Sequence, residues 1–196
     1  MIIVAATNNA HKLQEIRQIL GPRGFQVLSA ADVGGIPDTV EDAATFAGNA
    51  MKKATEAAAA IGRPVLADDS GLSVLALGGE PGVYSARYAG PDATDADRMA
   101  KLLGRLAPHR DRRAHFACAI ALATPDGPAG SAVGEVHGFI CPAPRGTNGF
   151  GYDPIFAPEC GHRSFAEMTA AEKDALSHRG FALANIIASG YLDALA

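Results

Sequence analysis

The chain has 196 residues, enough for one domain with a sizeable core, and its 48% hydrophobic and 19% charged residues match a soluble globular protein. A net charge of −4 gives no electrostatic footprint for a nucleic-acid polymer, so any chemistry of that kind involves a nucleotide. Cys118, Cys141 and Cys160 are widely spaced with no Cys-x-x-Cys pair, which argues against a disulfide framework or structural zinc and for a reducing, cytoplasmic compartment. The apolar start Met1 to Ala6 is short and lacks a basic lead, and no run approaches the roughly 18 apolar residues of a membrane span.

In chain order, Ile2 to Ala6 reads as a buried strand. Leu13, Ile16 and Leu20 recur at helical spacing up to the stop Gly21-Pro22. Phe25 to Leu28 reads as a second strand, Thr45 to Ile61 as an Ala-rich helix closed by Gly62-Arg63-Pro64, and Val65 to Ala67 as a third strand. The opening is therefore β-α-β-α-β. Gly78 to Gly82 marks a loop, and Thr94 with Asp97 forms a capping box before a helix reaching about Leu106. Alternation over Phe116 to Leu122 and over Val133 to Ile140 predicts a hairpin through Pro125-Asp126-Gly127. A second capping box, Thr169 with Glu172, precedes C-terminal helical sequence. The class is α/β with a mixed sheet.

Five stretches carry candidate chemistry. Asp68 and Asp69 follow the third strand, where open α/β sheets bind ligands. Two unit charges about 4 Å apart repel by about 4 kcal/mol at an effective dielectric near 20, so a cation, a proton or divergent side chains must relieve them. Either this is a metal site at a strand end, or Asp-Asp-Ser-Gly is a solvated turn. At the first βα junction, Thr7, Asn8, Asn9, Ala10, His11 and Lys12 form a phosphate cradle or an ordinary Asn cap. A Lys in that first turn opposes the helix dipole, a conflict an anion resolves. Asn49 and Lys53 share one helix face, and Glu41 precedes that helix as a metal ligand or a dipole-favoured acid. Gly146 to Pro154 brackets Phe150 with glycines, presenting the ring for stacking or turning it into the core. Ser177-His178-Arg179, with Lys173 nearby, supplies donors for carbonyl or phosphate oxygens, or is a polar helix face.

Ala67 to Leu72, Pro81 to Tyr88, Gly149 to Pro154 and Ser177 to Gly180, in this order, resemble the inosine triphosphate pyrophosphatase family. The resemblance spans Thr7 to about Ile186. It implies one domain over residues 1–196 with two lobes and a central cleft, and an elongated, twisted mixed sheet flanked by helices. It further implies a homodimer that hydrolyses ITP, dITP and XTP to the monophosphate and pyrophosphate with magnesium. By motif, Thr7, Asn9 and Lys12 bind the triphosphate with help from Lys53, and the cradle residues Asn8, Ala10 and His11 are substrate-binding with them. Glu41 and Asp69 hold magnesium, Asp69 is the general base and Ser70 contacts substrate. Phe150 stacks on the base within the run Phe150, Gly151, Tyr152 and Asp153, while Asp153, Lys173, His178 and Arg179 read its edge. Asn8 and Asn148 stand where the family usually has Gly; Asn tolerates the left-handed conformation best after Gly.

For mechanism, water attacks the α-phosphorus while Lys12, Lys53 and magnesium neutralise the leaving pyrophosphate. The resemblance makes Asp69 the general base, but a carboxylate bound directly to a cation is a poor base, so a water that the metal has made acidic, oriented by Asp69 or Asp68, is the physically easier alternative. Donors from Lys173 or Arg179 suit a 6-oxo purine and reject adenine, but not guanine. A non-catalytic nucleotide sensor and a phosphatase releasing orthophosphate are the alternatives.

Overall fold

The computed structural model describes residues 1–193. The predicted opening is present: β1 (Ile2–Ala5), α1 (Ala10–Leu20), β2 (Gln26–Leu28), α2 (Phe46–Ile61) and β3 (Val65–Val74). There follow α3 (Asp95–Leu106), β4 (Arg113–Thr124), β5 (Gly127–Ile140), β6 (Phe156–Pro158), α4 (Ala170–Leu176) and α5 (His178–Ala188). The six strands form one sheet in the order β2-β1-β3-β4-β5-β6. β1 runs parallel to β2 and β3, whereas β5 and β6 are antiparallel, so the sheet is mixed. The connection between β4 and β5 leaves only Pro125 and Asp126, the predicted hairpin.

Local signals set the helix ends. Thr45 Oγ1 accepts the Gly48 N–H at the start of α2, and Gly62 closes that helix with φ 64°. Thr94 and Asp97 form the predicted capping box on α3, and Thr169 and Glu172 the one on α4. A third box, Ser164 with Glu167, has the same spacing and went unread in the sequence.

The chain packs as two compact units. One comprises Met1–Asp69, Cys118–Gly134 and the segment from His178; the other comprises Ser70–Ala117 and Glu135–Ser177. The first unit is layered by strand alternation. Ile3 and Ala5 of β1, Leu66 of β3 and Cys118, Ile120 and Leu122 of β4 pack with Ile16 and Leu20 of α1 and Leu183 and Ile186 of α5. Their neighbours Val4, Val65, Ala67, Ala119 and Ala121 point the other way, against Ala50, Ala54, Ala57 and Ala58 of α2. Alanine on both sides lets that helix lie close to the strands. The second unit has its own core of Leu72, Leu102, Leu106, Ile140 and Tyr152 around three rings. Phe116 meets Phe156 edge-on at 4.7 Å, and Phe165 lies 5.2 Å from Phe156.

One expectation fails. The third strand does not stop at Ala67; β3 continues to Val74, and Asp68 and Asp69 are buried strand residues rather than members of a turn. The local sequence favours a turn, but partners from other elements neutralise the carboxylates and the pairing continues.

Candidate functional site

Strand geometry sends the two aspartates to opposite faces of β3. Asp68 shares the Leu66 side, facing α1 and α5; Asp69 shares the Ala67 side, facing α2. Of the three ways to relieve their repulsion, the fold uses divergent side chains together with cations: Lys12 and Arg179 contact Asp68, Lys53 lies beside Asp69, and the charge of Lys53 acts on both.

On the α1/α5 side, Asp68 Oδ2 accepts hydrogen bonds from Arg179 Nη2 at 2.9 Å and Nε at 3.2 Å. Lys12 Nζ lies 3.1 Å from the same oxygen. Arg179 also holds Glu15 of α1 through Nη1. Asp68 and Arg179 are each 1% exposed. Burial alone raises the Asp68 pKa, but the charges of Lys12, Arg179 and Lys53 outweigh it and hold the carboxyl far below its usual range. Burial likewise disfavours the charged Arg179, and Asp68 and Glu15 more than restore it. Gly134 of β5 brings α5 to this place: a Cβ there would overlap His178 O and Ala182 N, so only glycine admits the helix's first turn.

On the α2 side, Asp69 Oδ2 accepts from Asn49 Nδ2 at 3.0 Å, and Lys53 Nζ lies 3.7 Å from Oδ1. Asn49 and Lys53 thus engage Asp69 from the one helix face their spacing predicts. Lys53 Nζ also donates to Glu41 Oε1 at 2.9 Å and to the Asp68 carbonyl at 2.7 Å. The segment carrying Glu41 is pinned on both flanks by Lys52 Nζ, which donates to Val40 O and Asp42 Oδ1. Asn49 Oδ1 accepts the Ala43 N–H, tying that segment to the side chain that orients Asp69. Burial is the largest influence on Asp69 and, with the nearby Glu41 charge, raises its pKa despite Lys53 and Asn49. Lys53 is raised as well; burial opposes its charge, but Asp68, Asp69 and Glu41 prevail.

The first βα junction is an Asn cap. Thr7 Oγ1 accepts the Asn9 N–H, and Asn9 Oδ1 accepts the N–H groups of His11 and Lys12. Two first-turn amides of the cradle are therefore held by Asn9, and the dipole conflict of Lys12 is met by Asp68. Ala10 is the first residue of α1, and Asn8 precedes the cap.

The other predicted residues lie in the second unit. Gly149 and Gly151 take φ 73° and 64° around Phe150, which is half-buried. Asp153 Oδ2 accepts the Phe150 N–H at 2.8 Å and a hydrogen bond from Lys173 Nζ at 2.7 Å. That ammonium sits 4.7 Å from the Phe150 ring centroid. Tyr152 is 4% exposed and donates its hydroxyl to Ser85 O, so it serves the core of this unit. Ser70 is half-buried in β3. His178 opens α5 in the first unit, next to Arg179, whose guanidinium serves Asp68 and Glu15. The tolerance of Asn for the left-handed conformation is not called on at Asn8 or Asn148, since no non-glycine residue among those described has positive φ. Asn148 instead donates Nδ2 to Met168 O at 2.9 Å. Sequence reading missed Glu15 and gave Asn49 no role, although Asn49 at four residues from Lys53 was the available signal.

The Ham1 family model matches residues 3–189. A dITP/XTP pyrophosphatase of Syntrophobacter fumaroxidans is 52% identical over 93% of this chain and 78% of its own length. One of Geobacter sulfurreducens is 50% identical over 93% and 92%. The solved structure of a HAM1 protein from Coxiella burnetii superposes with a TM-score of 0.86 at 44% identity, covering 95% of this chain and 96% of that one.

Proposed function

The chain belongs to the Ham1 family, the inosine triphosphate pyrophosphatase family its motifs resemble, and from that premise we propose that it hydrolyses dITP, XTP and ITP to the nucleoside monophosphate and pyrophosphate. The observation that carries the chemistry is the division of labour in β3. Asp68 is held ionised by Lys12 and Arg179 and is a weak proton acceptor, whereas Asp69 has a raised pKa and an orientation fixed by Asn49. A base works best when its pKa approaches the working pH, so Asp69 is the better candidate to take a proton from the attacking water where it faces that water without binding the cation directly; where it binds the cation, its role is to orient a water that the metal has made acidic.

The donor set fits magnesium. Glu41 and Asp69 are hard oxygen donors sharing one lysine, and among the described residues no three or more His, Cys, Asp or Glu side chains group as a metal site. Magnesium is commonly bound by one or two carboxylates, with water and substrate phosphates completing its octahedron. When bound it supplies charge neutralisation on the phosphates. Lys12 and Lys53 bind the triphosphate and stabilise charge developing on the departing pyrophosphate as water attacks the α-phosphorus. Lys53 must leave Glu41 for this, exchanging one anionic partner for another. Thr7 and the capped turn Asn8 to His11 border the phosphate site.

In the second unit, Phe150 stacks on the base and Lys173, anchored by Asp153, donates to its 6-oxo oxygen. Adenine presents an amino group there and leaves the ammonium unpaired. Ser70 and His178 keep the substrate contacts that the resemblance implies. Arg179 acts on Asp68 rather than on the base. The homodimer rests on the resemblance alone, and the cytoplasmic location on three widely spaced cysteines with no Cys-x-x-Cys pair.

The test is to incubate the protein with dITP, XTP or ITP and magnesium and identify the products by anion-exchange chromatography. Monophosphate with pyrophosphate supports the reading. Orthophosphate with diphosphate points to a phosphatase, and binding without turnover to a sensor; either result overturns it.

A further inference from the structure

The Phe150 loop is held by two carboxylates, only one of which belongs to the loop itself. Asp153 accepts the Phe150 N–H at 2.8 Å; the next amide, Gly151 N–H, donates to Asp95 Oδ2 at 2.7 Å. Asp95 lies 56 residues away, at the first position of α3, inside the Thr94–Asp97 capping box but not part of it. Its other oxygen is 2.5 Å from Arg98 Nη2, and Arg98 Nη1 donates to Ala86 O and Ala93 O. Asp95 is thereby fixed to two backbone segments besides its own helix.

Both amide contacts are charge-assisted, the stronger kind of hydrogen bond. They fall on consecutive residues between and at the glycines 149 and 151, which take positive φ, while the preceding Thr147 and Asn148 amides are held separately by Ala166 O. A Cβ at Gly149 would overlap the Asp153 carboxylate, so the clamp closes only on glycine. Between the clamps lies Phe150, whose ring faces the Lys173 ammonium.

We propose that Asp95 is a positioning residue for purine recognition, fixing the ring of Phe150 by holding the Gly151 amide. This rests on the base-stacking role of Phe150 given above. Asp95 touches neither the base nor the phosphates. Its loss weakens what depends on the base and leaves what depends on the triphosphate alone.

The experiment compares Asp95→Ala and Asp95→Asn with Asp97→Ala, which damages the start of α3 by removing the oxygen that Thr94 donates to, without touching the loop. Calorimetric binding of IMP and of inorganic tripolyphosphate, the KM and kcat for dITP, and amide exchange at Gly151 are measured on each. Asp95→Ala weakens IMP binding and raises KM by about tenfold, as expected for one charge-assisted hydrogen bond. It leaves tripolyphosphate binding and kcat within about twofold and speeds exchange at Gly151. Asp95→Asn, which keeps an acceptor oxygen, recovers part of the loss, and Asp97→Ala keeps the wild-type KM. Equal losses for IMP and tripolyphosphate, or the same KM change from Asp97→Ala, overturn the proposal. So does unchanged Gly151 exchange. The binding and exchange measurements need no turnover, so a chain that hydrolyses no triphosphate refutes the proposed function while these still decide the role of Asp95.

Discussion

Replacing Arg179 with methionine tests the electrostatic account of β3. Methionine keeps much of the apolar stem and removes the guanidinium, leaving Asp68 with Lys12 and Lys53 and leaving Glu15 without its buried partner. Removing one member of a buried ion pair costs about 3–5 kcal/mol, because the remaining charge stays desolvated. At a chain of this size, about 2–4 °C of melting temperature is lost per kcal/mol, so the melting temperature falls by roughly 6–20 °C. The pH dependence has a definite sign. The folded-state pKa of Asp68 is depressed, so its stabilisation is complete above the ordinary carboxylate pKa and is lost as pH falls toward the folded value. Without Arg179 that pKa climbs, protonation relieves the buried charge earlier, and the gap between the two proteins narrows on acidification. Urea melts followed by circular dichroism at pH 7.0 and 4.5 measure both effects. A loss under about 1 kcal/mol at pH 7.0, or a gap that widens at pH 4.5, would mean that Arg179 does not neutralise a buried Asp68 charge.

Asp69→Asn lowers turnover by about 10²–10⁴, the range for a lost general base. It leaves the melting temperature unchanged or higher, because the raised pKa of Asp69 means that its ionised form opposes folding; thermal melts beside steady-state assays check the pair. Gly149→Ala places a methyl against the Asp153 carboxylate at φ 73°, so it costs more than the about 1 kcal/mol of an ordinary positive-φ substitution and raises KM for dITP more than it changes kcat. Burial pushes the Cys118 thiol up to about 12 and Cys141 is buried, whereas Cys160 is exposed. A native thiol titration at pH 8 therefore returns one fast equivalent, and two or more would place another cysteine at the surface.

What was legible in the sequence had local causes. The caps at Thr45, Thr94 and Thr169, the Gly62 stop and the two-residue hairpin each follow from neighbours within four positions. The face shared by Asn49 and Lys53 was readable for the same reason. The length of β3 was not, because what keeps Asp68 in a strand is Arg179, 111 residues on, together with Lys12. Read locally, Asp-Asp-Ser-Gly is a turn; in the fold, each carboxylate meets cations from a different helix layer. Arg179 illustrates the same limit, since its motif pointed to substrate while its hydrogen bonds go to Asp68 and Glu15. Asn148 is another case: its side chain holds the loop through Met168 O, a partner 20 residues on that local sequence does not reveal.

In the proposed function, Asp69 and the lysines around β3 direct water to the α-phosphorus of a 6-oxo purine triphosphate. Hydrolysis of dITP in ¹⁸O-labelled water, with the products read by mass spectrometry, tests it directly. The label is expected in dIMP with unlabelled pyrophosphate, and Asp69→Asn slows formation of both products by about 10²–10⁴. Label in pyrophosphate, or labelled orthophosphate with dIDP, would contradict it.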